Sequence, residues 1–475
     1  MPPPRRRRAW RPALGPVLHF RGVQEGRWRV AALFATEGEE EPPDLSAEGV
    51  LLPIPPRHAG VLGGVTLWRF DFAPPRGAED RRVAYGFPEG ERWWFTVPAA
   101  GARLRLAVAA GGAPSPASRQ GPWARLNGAH RTRPFHLMVQ AGGQVDLAGL
   151  WAAGPEVAAW AAGTPRERAA SPFTPGMAEE AARFVLRAHL AAWRRPEASG
   201  LQAALPSVMA PDGRDRGEVP EGVPEPLRGT PVATGVLGEV RRCLGLLQGV
   251  EEADAAPFGR AFSTGEIGFV ALDVRPGPSP FGEAARQALQ AALDRLAGCR
   301  LLVVVCGPTL VEPRLGPQGR IAALLRAADA PPPERWRTEG READWLRLLR
   351  LLGDHAHRSR ARVAVLSGSW GVAGLGRLAG PDHEIHQLSV PWLERLPPGR
   401  AAEALARAAR ASEAVRDGLD LAYEPLPEAG GSPVAAARGW LSLDADGTGD
   451  LLAEWQVEGE PGSILRWIPA VSPAS

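Results

Sequence analysis

The chain of 475 residues carries 55 arginines and no lysine against 53 Asp and Glu, a formal net charge of +2. So even a balance supplies no chain-wide field to gather a polyanion, which argues against nucleic acid as a partner. The length exceeds what one core organises, no apolar run approaches the roughly 18 residues of a membrane span, and three scattered cysteines, Cys243, Cys299 and Cys306, suggest neither a disulfide framework nor a zinc knuckle.

Lysine is absent and Asn127 is the single asparagine, a bias that a GC-rich bacterial genome explains without any selection for phosphate binding. The chain opens with MPPPRRRRAW. A twin-arginine export signal needs an apolar stretch behind its arginines, and Arg11, Pro12, Gly15, Pro16 and His19 interrupt this one. Residues 1–14 are therefore expected to be a disordered basic tail on a cytoplasmic protein.

From 15 to 99, short alternating runs (VLHFRGV, RWRVAALFA, GVLLPIP, VTLWRFDF, RVAYGF, RWWFTV) separated by Gly, Pro and acidic turns predict an all-β, sandwich-like domain. Beyond PAAGA the pattern changes. RLRLAVAAGG, FHLMVQAGG, LPSVMAPDG, IGFVALDVRPGP, RLLVVVCGP and RVAVLSGSWG are strand-like runs ended by Gly or Pro. Between several of them lie segments of helical period, such as MAEEAARFVLRAHLAAWRR and READWLRLLRLLGDHAH, so residues 100–470 read as an α/β domain with largely buried sheets. GWLSLDADGTGDLLAEW closes it with a hairpin, and 210–234 and 330–340 read as surface insertions.

In α/β sheets, ligands collect where strands end. The polar groups at these six ends are sparse: Gln144 and Asp146, Asp212 with Arg214 and Asp215, Asp273, Cys306 and Ser369, set among glycines. His383 and His386 lie in a strand-like HEIHQLSV, three residues apart and thus on opposite sheet faces, which disfavours a shared metal. His355 and His357 fall at a helix end, where an imidazolium suits the dipole. Asp444 and Asp446 begin a loop like a calcium loop, but Trp455 stands where a bidentate Glu is needed, leaving a hairpin turn. Cys306 has no base nearby, and GLGRLAG misses the dinucleotide spacing.

With these strand ends in this order, and with GPVLHFRGVQEGRWRVAALFATEG and ARGWLSLDADGTGDLLAEW at the two ends of the chain, the sequence resembles the alkaline phosphatase D (PhoD-like) metallophosphatases over nearly its whole length. The resemblance implies a calcineurin-like metallophosphatase fold, two β-sheets flanked by helices behind an N-terminal all-β sandwich-like domain. It also implies phosphate-ester chemistry on iron and calcium or related ions. Each of the four motifs that carry that chemistry is altered here. Where relatives have Ser-Cys-Asn, this chain has Ala110, Gly111 and Gly112. In AGGQVDLAGLW the frame of Gly142, Gln144, Leu150 and Trp151 is kept, but Gly143 replaces the bridging Asp, Asp146 the Tyr and Ala148 the last Asp. In MAPDGRD, Met209, Asp212 and Asp215 remain, while Gly213 replaces a metal-binding Asp and Arg214 the catalytic His. In LSGSWG, Ser369 replaces Asp and Gly371 His.

The resulting expectation is a pseudophosphatase: a vestigial cleft of Gly111, Gly112, Gly143, Asp146, Asp212, Gly213, Arg214, Asp215, Ser369 and Gly371, with no cofactor and a role in binding a small anionic ligand or a protein partner. Arg214 reads first as a surface arginine in a Gly/Pro-rich loop, and otherwise as a cleft residue that holds a phosphate or carboxylate. The alternative is an active metal-dependent phosphoesterase whose divalent or iron ions sit on Asp146, Asp212, Asp215 and Asp273, joined by His383 or His386.

Overall fold

The structure is a computed structural model that describes residues 10, 12–38, 40–114, 121–217, 229–249, 258–274, 281–316, 336–337, 341–397, 399–460 and 462–471. The first strands are β1 (Leu14–Gln24), β2 (Arg27–Glu37), β3 (Ser46–Ala47), β4 (Val50–Leu51), β5 (Arg57–Leu62), β6 (Val65–Phe72), β7 (Arg81–Gly86) and β8 (Arg92–Val97). Next come β9 (Leu104–Ala109), β10 (Leu137–Ala141), β11 (Ser207–Ala210), β12 (Gly259–Thr264), β13 (Ile267–Leu272), β14 (Leu301–Val305) and β15 (Arg362–Ser367). The last are β16 (Gly374–Ala379), β17 (Glu384–Ser389), β18 (Glu413–Val415), β19 (Leu419–Tyr423), β20 (Gly439–Ala445), β21 (Leu451–Val457) and β22 (Ile464–Ile468).

Two large sheets result. One has the order β22-β21-β20-β9-β10-β11-β1-β2-β6-β5 and the other β12-β13-β14-β15-β17-β16-β19-β18. At the heart of each, four neighbours run parallel: β9, β10, β11 and β1 in the first, β13, β14, β15 and β17 in the second. β13 and β14 among these strands are apolar throughout because both faces are covered. In β14, Leu301, Val303 and Val305 face the core between the sheets, while Leu302 and Val304 face the helices outside. The period of two thus assigns successive side chains to two cores.

Helices Pro175–Trp193 and Pro231–Leu247 cover the outer face of the first sheet, and Glu283–Arg295, Glu342–Ser359 and Gly399–Ala408 that of the second. The local signals are plain: Thr174 caps Pro175–Trp193 by accepting from Met177 N–H (3.1 Å), with Pro175 in the first turn, where no N–H is needed.

The composition change near residue 99 is not a break in the sheet. β1 pairs in parallel with β11 at His19↔Ser207, so β1, β2, β6 and β5 extend the first sheet. A small third sheet, β4-β3-β7-β8, packs Tyr85, Phe87 and Phe95 onto Phe34, Phe70 and Phe72 with ring centroids 5.2–6.1 Å apart, completing the sandwich-like N-terminal part. Residues 1–9 and 11 of the expected tail lie outside the described residues, but Trp10 packs edge-on against Phe87 (4.6 Å), and β1 begins at Leu14.

Three further expectations need correction. GVLLPIP yields only the two-residue β4, since two prolines break its ladder. The segment 210–234 is not all surface insertion: 218–228 lies outside the described residues, yet Asp212 to Gly217 is a buried turn of helix and Pro231 starts a long one. Most of 330–340 also lies outside, while Trp336 is buried.

Candidate functional site

The parallel strands of both sheets point their carboxyl ends at one place. From the first sheet come Ala110–Gly112 after β9, Gly142–Gln144 after β10 and Asp212–Asp215 after β11. From the second come Gly307–Leu310 after β14, Gly368–Gly371 after β15 and Trp392 after β17. The ends touch through backbone. A Cβ on Gly368 would collide with the Ala110 Cβ, and one on Gly307 would stand 2.8 Å from the Asp212 Cβ. Only glycine allows that approach.

Two loops are fixed by side chains the sequence reading placed here. Asp212 starts the short helix Gly213–Arg216, its Oδ1 accepting from the Arg214 N–H (2.9 Å) and the Asp215 N–H (3.4 Å). Asp215 turns back and accepts three backbone N–H bonds, from Gly143 (2.8 Å), Val145 (2.9 Å) and Asp212 (3.0 Å), which ties the β10 loop to the β11 loop. Burial, then the neighbouring Asp212 charge, pushes the Asp215 carboxyl well above the usual range, against the pull of those donors. Gln144 Nε2 donates to the carbonyls of Gln140 (3.1 Å) and Ala210 (3.3 Å). Ser369 Oγ accepts from Thr309 N–H (3.2 Å), closing the corresponding loops of the second sheet.

The centre of this convergence is occupied by Trp392, a residue the sequence reading did not single out. It is bridged to Ala110 by parallel backbone pairing, is 3% exposed, and donates Nε1–H to the Gly368 carbonyl (2.6 Å). Gly111, at φ +58°, lies against it so closely that a Cβ there would sit 2.6 Å from the indole, and a Cβ on Gly371 would collide with the same ring. On its face lies Arg214, with the guanidinium carbon 4.0 Å from the ring centroid. The surface-arginine reading of Arg214 is therefore corrected: the residue is 7% exposed, and its Gly/Pro flanks conceal a capped helical turn. Burial pulls its pKa down from the usual guanidinium range, while the Asp212 charge pulls it up.

Asp146 stands at the rim, its carboxylate accepting from Arg395 (2.9 Å) and from Ala148 N–H (3.0 Å). Asp273 turns away from the centre to Arg216 (2.9 Å). His386 is three residues before Ser389 on β17, about 10 Å down the strand, facing Arg362 (3.4 Å), and His383 lies beyond it. Asp146, Asp212, Asp215, Asp273, His383 and His386 are thus not gathered at one point, and among the described residues no three His, Cys, Asp or Glu side chains are placed to hold a metal. His355 does not act as a charged helix cap, because burial lowers its pKa to about 4. Asp446 does form the hairpin turn, accepting from Thr448 N–H (3.0 Å).

A signal for Trp392 existed in the sequence. HEIHQLSV was read as a strand, and following it to its carboxyl end leads to SVPWLER.

No protein-family model and no curated protein matches the chain. Its fold is similar to that of solved structures. One is a structure of PhoD, with a TM-score of 0.56 at 12% identity over 95% of this chain and 88% of that one. Another is a purple acid phosphatase from yellow lupin (Lupinus luteus) seeds, with a TM-score of 0.51 at 10% identity over 95% of this chain and 73% of that one. The chain therefore has the metallophosphatase fold.

Proposed function

We propose that this chain is a metallophosphatase-fold protein that has given up hydrolysis and serves in binding, its metal centre replaced by an indole and a guanidinium. The observation that carries this reading is the position of Trp392, wedged between Gly111 and Gly371 with Arg214 on its face.

The ions that the resemblance implies do not fit these residues. A metal site must offer anionic oxygen, thiolate or imidazole donors directed at a common point. Here Gly111, Gly112, Gly143, Gly213 and Gly371 offer no side chain, and Ser369 is engaged with Thr309. Asp212 and Asp215 are turned onto backbone N–H groups. The Arg214 guanidinium holds a fixed positive charge beside the carboxylates that remain, so an arriving cation would meet repulsion as well as an indole.

The assay is hydrolysis of p-nitrophenyl phosphate and of its diester with Mn²⁺, Zn²⁺, Ca²⁺ and Fe²⁺/Fe³⁺ supplied in turn. The proposal expects rates indistinguishable from those of a Trp392→Ala variant and from buffer. Turnover that is saturable and lost on chelation would contradict it.

A further inference from the structure

The Arg214 guanidinium presents five N–H donors, and among the described residues it makes no hydrogen bond or ion pair, only its contact with the Trp392 ring. The residue is 7% exposed, yet its donors are not committed to protein acceptors and stay open to an incoming one. The nearby carboxylates do not serve. Asp212 Oδ1 is taken by the N–H groups of Arg214 and Asp215, Asp215 by three backbone donors, and Asp146 by Arg395 and Ala148. Their charges make a cation tolerable there, while none of them forms a hydrogen bond or ion pair with the guanidinium itself.

None of the Arg214 nitrogens is among the buried polar atoms sealed from solvent, and the rim beside it is formed by the partly exposed Asp146 and Arg395 side chains, 22% and 14% exposed. With the indole against one face of the guanidinium, an acceptor must approach in its plane.

We propose that Arg214 is the receptor for a carboxylate group of a small organic acid, bound in the guanidinium plane by two parallel N–H···O bonds beside the Asp146–Arg395 ion pair. This rests on the reading above, in which no metal fills the centre. Carboxylate is chosen over phosphate on charge and shape. Arg395 is balanced by Asp146, and one guanidinium beside Asp212 and Asp215 suits a planar monoanion better than a tetrahedral dianion.

The test uses full-length protein freed of metal by chelator and dialysis. Sodium acetate, disodium glutarate and sodium phosphate are titrated against sodium chloride at equal ionic strength, read by calorimetry and by thermal melt. The expected result is saturable acetate and glutarate binding in the millimolar range, at least about tenfold weaker in Arg214→Gln and also weakened in Arg214→Lys, which keeps the charge but not the fork. Both variants are first checked for a cooperative melt in chloride, and should one fail to fold, the other decides. Acetate binding equal to the chloride control, phosphate binding tighter than acetate, or full affinity in the variants would each overturn the proposal. Stoichiometric metal in the protein before chelation would instead refute the inactive reading, a separate failure with its own readout.

Discussion

The guanidinium carbon of Arg214 lies 4.0 Å from the centroid of the Trp392 ring, and these two residues come from the carboxyl ends of strands in different sheets. Their contact closes the place where the two sheets converge. Truncating Trp392 to Ala removes a buried aromatic and should cost about 3–5 kcal/mol of stability. In a cycle with Arg214→Met the two should couple by about 1–2 kcal/mol. Urea unfolding of the four proteins measures this, and coupling near zero would show that the stack holds nothing together.

Gly111 is the second prediction. An alanine there must adopt φ +58° and place its Cβ 2.6 Å from the indole, so Gly111→Ala should destabilise by about 2 kcal/mol or more. In a Trp392→Ala background the clash with the ring is removed, but the Cβ that alanine keeps stands 2.7 Å away, so Gly111→Ala should still cost more than the about 1 kcal/mol of backbone strain alone. The same logic governs repair. Installing together the ligands that the resemblance implies, as Gly111→Cys, Gly112→Asn, Gly143→Asp, Asp146→Tyr, Gly213→Asp, Arg214→His, Ser369→Asp and Gly371→His, should produce metal uptake only when Trp392 is also made small.

Acid should weaken the fold through buried histidines. The His189 ring donates Nδ1–H to the Val185 carbonyl (2.8 Å) and accepts at Nε2 from Gln248 (3.3 Å), a neutral tautomer whose pKa burial lowers to about 4. An unfolded histidine titrates near 6.5, so between about pH 6.5 and 4 the unfolded chain binds the extra proton. Stability is therefore full above pH 6.5, falls as pH drops through that window, and levels off for this group below pH 4. The loss from His189 is at most about 3 kcal/mol. Burial also brings His130, His355 and His386 to about 4, so melts in this range should fall steeply, and His189→Gln should make the slope shallower.

Two residues past Trp392, Glu394 is fully buried and paired with Arg195, while its backbone N–H donates to Gly111 O (3.3 Å). Removing the carboxylate alone, Glu394→Ala, leaves the partly buried Arg195 guanidinium without its partner and a cavity behind it, and should cost about 2–4 kcal/mol. Replacing both by apolar residues of similar volume should cost much less. Equal losses from the single and the double variant would contradict the pairing argument.

The elements legible in sequence were those with one strong pattern. LLVVV and the VAVL of RVAVLS, apolar runs that stop just before a glycine, are central parallel strands, and the alternating N-terminal runs are strands of the first and third sheets. β5, RHAGVL, escaped because it is an edge strand whose half-exposed side chains show no alternation. The expectation that Gly111, Gly143, Gly213, Ser369 and Gly371 share one cleft came from the resemblance together with the strand ends. What filled it did not, because Trp392 and Gly111 are far apart in sequence and meet only through the pairing of two sheets. Arg214 was misjudged for a related reason: glycine and proline suggest exposure, and nothing local shows that Asp212 caps a helical turn beneath the surface. Asp273 follows a strand as an active-site carboxylate would, yet Arg216 claims it.

The central claim is that an indole and a guanidinium stand where a metallophosphatase keeps its ions, and the most direct measurement is metal content by mass spectrometry. Protein purified without chelator, then equilibrated with iron, manganese, zinc and calcium and desalted, should retain well under a tenth of an ion per chain. Retention of stoichiometric metal, lost when Asp212 or Asp215 is replaced by Ala in a variant that still folds, would contradict it.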